Sequence, residues 1–282
     1  MSSLLSLGST LLLSSGHRIP LLGFGVYQNY DAKASCLEAL KAGYRHIDSA
    51  QVYRNEAAVG EAAKESGLDR ADLYITTKCV SKNHGYDKTL LGVDESLKKF
   101  GFDYIDLFLI HDPMSDRTRR LDTYRALQEA RQAGKIRSVG VSNYGIPHME
   151  ELAAAGYEKP AVNQIELHPL CQQKDIVAYC VKNGIAVQAY CPILRGQFDE
   201  PVIQAIAQKH ARDPAQILLR WSLQKGYIPL PKSATPARIH SNTQLYDFAL
   251  DAGDMAALDG LDGGKAGGIS WNPVDFVDRA VA

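Results

Sequence analysis

Short apolar runs alternate along the chain with longer stretches in which apolar residues recur at helical spacing. Eight runs have the length and composition of buried strands, and they lie at 21–25, 44–48, 73–78, 104–110, 136–142, 161–167, 186–190 and 227–231. Between them are amphipathic segments such as ASCLEALKAG (34–43) and KTLLGVDESLKKFG (88–101), each ending in glycine, a typical stop signal. Strands that alternate with helices predict βα units and a parallel sheet.

This rhythm predicts an α/β architecture, since eight βα units in about 250 residues match the (β/α)8 or TIM barrel. We therefore expect a single barrel domain over residues 1–282. Ahead of the first unit, LLL (11–13) and SSGHRIPLL (14–22) predict a β-hairpin with Gly16 in its turn, closing the bottom of the barrel. The stretch 192–226 is long for one crossover, so we expect an irregular loop and an extra helix there, with extra helices near the C-terminus.

Composition narrows the class of partner. The chain is 45% hydrophobic, and 31 Lys and Arg residues balance 32 Asp and Glu residues, so its overall charge attracts neither nucleic acid nor an anionic membrane. A small-molecule partner is expected. The first 16 residues lack a basic start and a cleavage site, and no segment is long and apolar enough for a membrane span. Five cysteines without CxxC spacing predict neither a disulfide framework nor a metal site, which favours a cytoplasmic protein.

Polar residues cluster where a barrel carries its active site, at the carboxyl ends of the strands. Those at or just past a predicted strand end are Asp48, Lys78, His111, Ser142, Asn143, Gln164, Glu166, Tyr190 and Lys232. GYRHIDSAQVYRNE (43–56) adds Tyr53, five positions after Asp48. Taken singly, these residues have ordinary alternatives: a capping aspartate, a packed aromatic ring, a solvated lysine or a buried histidine.

Taken together, Asp48, Tyr53, Lys78 and His111 could carry out a proton transfer. A phenol has a pKa of about 10 and is a poor acid at neutral pH unless a nearby cation favours the phenolate. Lys78 could supply that cation and Asp48 its counter-ion, while His111 could hydrogen-bond a substrate oxygen. We interpret the set as a proton-transfer device in which Tyr53 is the acid.

Several motifs resemble those of the aldo-keto reductase superfamily in order and spacing. They are GYRHIDSAQVYRNE, ITTK, LFLIHDP, GKIRSVGVSNYG, VNQIELHP, QAYCP and IPLPKSATPARIHSN, and the resemblance extends from the hairpin to about residue 275. It implies that Asp48, Tyr53, Lys78 and His111 form the catalytic tetrad. It also implies that NADPH delivers a hydride from nicotinamide C4 to a carbonyl carbon while Tyr53 protonates the oxygen, so that aldehydes or ketones become alcohols (EC 1.1.1 type).

The same resemblance implies a set of cofactor contacts. Ser142, Asn143 and Gln164 would hold the nicotinamide carboxamide, and the Tyr190 ring would stack on the nicotinamide. A basic loop after the last strand would suit the ribose 2′-phosphate of NADP rather than NAD. The remaining expected contacts, from the pyrophosphate loop to the adenine, are Cys191, Pro192, Arg195, Lys232, Ser233, Thr235, Arg238 and Asn242.

Three departures from the family pattern bear on these expectations. Ser241 stands where an adenine-contacting glutamate is usual, and Cys191 and Ile193-Leu194 replace a usual serine and leucine-glycine. Val80 and Asp112 stand where relatives often carry tryptophan. We interpret the last change as a wider, more polar substrate mouth, for which the expected lining is Tyr27, Gln28, Val52, Val80, Asp112 and Trp271. The short tail after Trp271 likewise favours an open pocket for bulky carbonyl compounds.

Two alternatives stay open. A Rossmann dehydrogenase is suggested by GFGVYQ, although Gln28 stands where the third glycine of that fingerprint belongs. A nicotinamide-binding regulatory subunit on the same barrel would bind NADPH but reduce carbonyls very poorly. A monomer is the expectation from the family, and the physiological substrate and direction of reaction are not specified by these residues.

Overall fold

The computed structural model of the protein describes residues 5–278, so residues 1–4 and 279–282, the ends of the expected domain, lie outside it. The strands are β1 Thr10–Leu12, β2 Arg18–Pro20, β3 Phe24–Gly25, β4 His46–Asp48, β5 Tyr74–Cys79, β6 Ile105–Ile110, β7 Ile136–Ser142, β8 Val162–Glu166, β9 Ala186–Tyr190 and β10 Ile228–Pro229. The helices are α1 Ala32–Lys41, α2 Glu56–Glu65, α3 Tyr86–Phe100, α4 Arg117–Gln132, α5 Ile146–Ala154, α6 Lys174–Lys182, α7 Pro201–His210, α8 Pro214–Gln224, α9 Pro236–Ser241 and α10 Ala252–Asp259.

Strands β3 to β10 form one curled, parallel sheet in which each strand lies beside its predecessor in the chain. That order follows from βα units, because a helix returns each strand to the side of the previous one. Each of the eight apolar runs in the sequence overlaps one of these strands, and only β5 extends past its run, by one residue. The predicted barrel class is confirmed.

The edges of the sheet meet at a seam between β3 and β10. The backbone N–H of Gly23 donates to Pro229 O at 3.1 Å, and that of Gly25 donates to Pro231 O at 2.9 Å. Neither proline has an N–H with which to donate in return, so the seam has a thinner ladder than the other strand pairs. Glycine allows the close approach, since a Cβ at Gly25 would lie 3.2 Å from Leu230 O.

The predicted N-terminal hairpin is confirmed. Strands β1 and β2 pair antiparallel with Leu11 opposite Ile19, and Gly16 takes φ +84° in the turn. Leu13 and Ile19 are buried with Leu107 and other residues of the barrel interior. The hairpin therefore covers the end of the barrel opposite the carboxyl ends of its strands.

A second, larger core lies between the sheet and the surrounding helices. Helices α2 and α3 approach closely in this core, where a Cβ at Gly60 would lie 2.1 Å from Phe100 O. Gly101 caps the C-terminal end of α3 and takes the left-handed φ of +66°.

The stretch 192–226 contains an irregular turn, α7 and α8, as expected for a segment too long for one crossover. Helices α9 and α10 follow β10, so the extra helices near the C-terminus are confirmed as well. Among residues 5–278, none of the helices is long and apolar enough to cross a membrane.

Candidate active site

An ion pair lies at the centre of the site. Asp48 ends β4 and Lys78 is the penultimate residue of β5, so adjacent strands bring the two side chains together. Lys78 Nζ donates to Asp48 Oδ1 at 2.5 Å and to Ser49 O at 2.8 Å. Both side chains are buried, so each charge depends on the other in place of solvent.

Tyr53 and His111 lie beside this pair. Tyr53 ends a short 3₁₀ helix, Gln51–Tyr53, in the loop after β4, and His111 directly follows β6. Lys78 Nζ is 5.1 Å from the centroid of the Tyr53 ring. The Tyr53 and His111 rings meet edge to face at 76°, with their centroids 5.7 Å apart. The structure thus brings the four predicted tetrad residues together at the carboxyl ends of β4, β5 and β6.

Burial sets the protonation states. Burial and the Asp48 carboxylate raise the pKa of the Tyr53 phenol well above its ordinary value. Burial lowers the pKa of Lys78, and Asp48 opposes that shift. Burial and Lys78 lower the pKa of His111 to about 3. At neutral pH the phenol therefore keeps its proton and the imidazole is neutral. The expectation that Lys78 favours the phenolate stays a prediction.

Side-chain amides extend the site along the next strand ends. Gln164 Nε2 donates to Asp48 Oδ2 at 2.8 Å, and Ser142 Oγ donates to Gln164 O at 2.8 Å. Asn143 Nδ2 donates to His111 O at 3.0 Å from a left-handed backbone with φ 58°. These three residues, Asp48, Lys78 and the backbone of His111 form one hydrogen-bonded group, and the Tyr53 ring lies beside it.

Tyr190, the last residue of β9, borders this group. Its hydroxyl lies 2.8 Å from both Asn143 Oδ1 and Trp271 O, two acceptors that share its single proton. The loop that follows is unusual, since Cys191, Leu194 and Arg195 all take left-handed φ values between 51° and 52°. Arg195 is exposed and donates to Ser270 Oγ at 3.0 Å.

The predicted phosphate loop follows β10 at the same end of the barrel. Lys232, Thr235 and Arg238 are exposed, whereas Ser233 and Asn242 are buried. Ser233 Oγ accepts from Thr235 N at 3.0 Å and shapes the turn into α9. Pro192 is buried at the base of the preceding loop.

Five of the six residues expected to line the mouth lie near the strand ends. Tyr27, Gln28, Val52 and Trp271 are exposed at the strand ends, and Val80 is half-buried. The Tyr27 ring is 5.0 Å from that of Tyr53, and the Trp271 ring is 6.4 Å from that of His111.

The sixth residue, Asp112, does not have the exposed position that was expected. It is 3% exposed, and its carboxylate accepts from Met114 N at 2.9 Å and Ser81 N at 3.4 Å. The side chain caps loop N–H groups instead of facing the mouth.

The sequence reasoning overlooked Gln188 and Arg120. Gln188 accepts from Gln164 Nε2 at 3.1 Å inside the barrel, and its signal was a single polar residue in the apolar run AVQAY. Arg120 is buried near the C-terminal tail, and nothing in its helical surroundings marks it in the sequence. Within residues 5–278 the His, Cys, Asp and Glu side chains form no group of three or more suited to a metal.

Comparison with known proteins places this arrangement in a family. The model of the Aldo/keto reductase family matches residues 22–262. A glyoxal reductase of Bacillus subtilis is 42% identical over 260 residues, which are 91% of this chain and 94% of that protein.

Two solved structures of aldo-keto reductases have the same fold as this chain. An aldo/keto reductase from Brucella melitensis superposes with a TM-score of 0.88 at 44% identity, covering 92% of this chain and all of that one. The Bombyx mori aldo-keto reductase in complex with NADP gives 0.86 at 37% identity, covering 90% of this chain and 93% of the other. Aldo-keto reductases use NADP(H). Because a family model spans most of its length and relatives match it nearly end to end, this chain belongs to the aldo/keto reductase family.

Proposed function

We propose that this protein is an NADP(H)-dependent reductase that converts aldehydes or ketones to alcohols, with Tyr53 as the proton donor. The observation that carries the proposal is the buried Lys78–Asp48 ion pair beside a protonated Tyr53 and a neutral His111. A family of oxidoreductases that use NADP(H) supplies the reaction class.

The residues at the strand ends fit the cofactor. Ser142, Asn143 and Gln164 offer the donors and acceptors that a carboxamide needs, and they already bond to one another and to Asp48. The Tyr190 ring would stack on the nicotinamide. When bound, NADPH supplies the hydride.

The outer loops would hold the rest of the molecule. Cys191, Pro192 and Arg195 would lie along the pyrophosphate, with Ser233, Thr235 and Asn242 further along. Two exposed cations, Lys232 and Arg238, suit a 2′-phosphate, and the NADP complex of the Bombyx mori relative supports the same preference.

The proton transfer follows from the electrostatics. The Tyr53 phenol holds its proton at neutral pH, so it is available when a carbonyl oxygen gains charge and becomes more basic than a phenolate. Lys78 then stabilises the phenolate left behind, and an N–H of neutral His111 donates to the same oxygen. Each interaction strengthens as charge develops, which is the condition for lowering the barrier.

The substrate class is narrowed by a relative. The Bacillus subtilis protein is a glyoxal reductase, so small 1,2-dicarbonyls are the first compounds to test. The exposed rim formed by Tyr27, Val52 and Trp271 would also contact larger aldehydes and ketones. All five cysteines are free thiols, which supports a cytoplasmic location, and we infer a monomer from the family.

Removal of the Tyr53 hydroxyl group tests the proposal. Tyr53→Phe should lower kcat for NADPH-dependent reduction by about 10²–10⁴ while NADPH still binds, because the proton donor alone is lost. Tyr30→Phe is the matched control, since Tyr30 is 98% exposed. Turnover would be followed by NADPH absorbance, and binding by NADPH fluorescence.

The other outcomes are equally informative. Full activity in Tyr53→Phe would remove Tyr53 from its role as the acid. A wild-type protein that binds NADPH but reduces no aldehyde, ketone or dicarbonyl would favour the regulatory-subunit alternative.

A further inference from the structure

The C-terminal tail, residues 271–278, begins at the candidate active site. Trp271 O accepts from the hydroxyl of Tyr190 at 2.8 Å, which ties the start of the tail to β9. The Trp271 ring stands edge-on to His111 at 83°, with ring centroids 6.4 Å apart. The indole is 51% exposed, so it contacts both the site and solvent. The contacts that hold the tail in place therefore also set the position of Trp271 at the mouth of the site.

The middle of the tail packs on the turn between β7 and α5. Gly145 N donates to His148 Nδ1 at 3.2 Å, so the ring proton is on Nε2, which donates to Phe276 O at 2.9 Å. A Cβ at Gly145 would lie only 2.3 Å from Val274 O. The tail is thus seated so closely that an added methyl group would displace it.

The end of the tail is held by Arg120. Arg120 Nη1 donates to Asp278 Oδ1 at 2.6 Å and Nη2 donates to Oδ2 at 3.3 Å. The same guanidinium donates to both oxygens of Glu151 on α5, and its Nη1 also donates to Pro113 O at 3.1 Å and to Ser115 O. One side chain therefore joins the loop after His111, helix α5 and the tail.

Geometry and burial make this joint specific. A planar guanidinium binds each carboxylate through N–H groups in a fixed geometry, which the point charge of an ammonium does not impose. Arg120 is buried, whereas the Asp278 side chain is 35% exposed, so Asp278 is the partner that can be released without unfolding its surroundings. Arg117 N also donates to Asp278 Oδ2 at 2.9 Å, which completes the anchor.

We propose that Arg120 and Asp278 are positioning residues that hold Trp271 over the candidate site, so that the anchored tail selects small carbonyl compounds over bulky ones. With the tail anchored, the indole limits the space beside His111. With the tail released, that space opens, and bulky substrates gain relative to small ones. The selection of substrate rests on the proposed function, whereas the anchoring of Trp271 does not.

Fluorescence reports the anchor directly. The chain has two tryptophans, and Trp221 is fully buried, so quenching by neutral acrylamide reports Trp271. Asp278→Asn should increase acrylamide quenching. It should also shift the ratio of kcat/KM for a bulky aromatic aldehyde to that for glyoxal by about fivefold in favour of the bulky substrate, the size expected from loss of a partly exposed ion pair.

Two further variants sharpen the test. Asp275→Asn is the matched control, because Asp275 is in the same tail and its partner Lys265 is exposed. It should change neither quantity. Gly145→Ala, which displaces the tail without changing its charge, should increase quenching as Asp278→Asn does.

Each contrary result has a defined meaning. Unchanged quenching in Asp278→Asn or in Gly145→Ala, or an equal change in Asp275→Asn, would overturn the anchor. Increased quenching with an unchanged kcat/KM ratio would overturn the role in selection. If the wild-type protein reduces no carbonyl, the proposed function fails and selection fails with it, while quenching still decides whether Arg120 and Asp278 hold Trp271.

Discussion

At the scale of single residues, the Lys78–Asp48 pair dominates the energetics of the site. Desolvating two charges is costly, and the cost is offset only where each oxygen and proton has a partner. Asp48 meets that condition, because Lys78 bonds one of its oxygens and Gln164 the other. The pair that we propose to act in catalysis is therefore also a point of structural vulnerability.

Removal of the Asp48 charge should destabilise the fold. Asp48→Asn leaves the Lys78 ammonium buried without a counter-ion, and we expect a loss of about 3 kcal/mol in the free energy of unfolding. Asp94→Asn breaks an ion pair with Lys135 in which both partners are exposed, and should cost less than about 1 kcal/mol. Urea unfolding at neutral pH compares them, and equal losses would show that the buried pair is not a structural element.

The sequence predicted which residues meet but not how each one is oriented. Asp48, Lys78 and His111 of the predicted tetrad could be found because they lie at strand ends, where a barrel gathers them. Asp112 could not be assigned in the same way. An aspartate after a strand either faces the mouth or caps loop N–H groups, and the choice depends on where Ser81 and Met114 lie in the folded chain. Leu194 stands where a glycine is usual, and its left-handed φ of 52° gives that departure a physical meaning.

At the scale of elements, close helix packing can outweigh helix propensity. Glycine inside a helix costs about 1 kcal/mol relative to alanine, so propensity alone favours alanine at Gly60 of α2. The backbone of Phe100 at the end of α3 occupies the space that a Cβ would need. Gly60 is therefore required by the contact between the two helices.

Gly60→Ala should accordingly destabilise the protein, by about 1–3 kcal/mol, because backbone atoms must shift to admit the methyl group. Gly253→Ala in α10 is the control, since the nearest atom to its added Cβ is Asp251 Oδ1 at 3.2 Å. We expect Gly253→Ala to change the stability by no more than about 1 kcal/mol in either direction, because the gain in helix propensity is opposed by this contact with a side chain. Thermal unfolding of both variants measures the difference, and a more stable Gly60→Ala protein would show that propensity outweighs packing here.

Element boundaries were less predictable than the elements themselves. Gly43 and Gly101 take positive φ where they were expected to end helices. The first and last apolar runs, 21–25 and 227–231, proved longer than β3 and β10. A strand ends where its ladder ends, and that depends on the neighbouring strand, which apolar patterning does not identify.

At the scale of the whole molecule, buried histidines couple stability to pH. Burial lowers the pKa of His46, His84 and His111 from 6.5 to about 3. Between pH 6.5 and 3, the unfolded chain therefore binds more protons at these positions than the folded protein does. The contribution of these histidines to the free energy of unfolding should be fully present above pH 6.5. It should be lost as the pH is lowered through this window.

A single substitution should reduce that dependence. His84→Gln removes one such group, and between pH 6 and 4 the slope of the unfolding free energy against pH should fall by about 1.4 kcal/mol per pH unit. Replacement of the exposed His17 by Gln is the control and should leave the slope nearly unchanged. Urea unfolding at several pH values gives the slope for each variant. If the His84→Gln slope equals that of the His17→Gln control, then His84 is protonated in the folded state as it is in the unfolded chain.

The seam between β3 and β10 also bears on how the chain folds. Every other pairing in the sheet joins strands that are neighbours in the sequence, whereas the seam joins the first strand of the sheet to the last. Closing such a long loop costs the most entropy, so we expect the seam to form last. Until then, both edges are open to pairing with another chain. Pro229 and Pro231 cannot donate to an added strand, and they protect one of those edges from aggregation while the barrel closes.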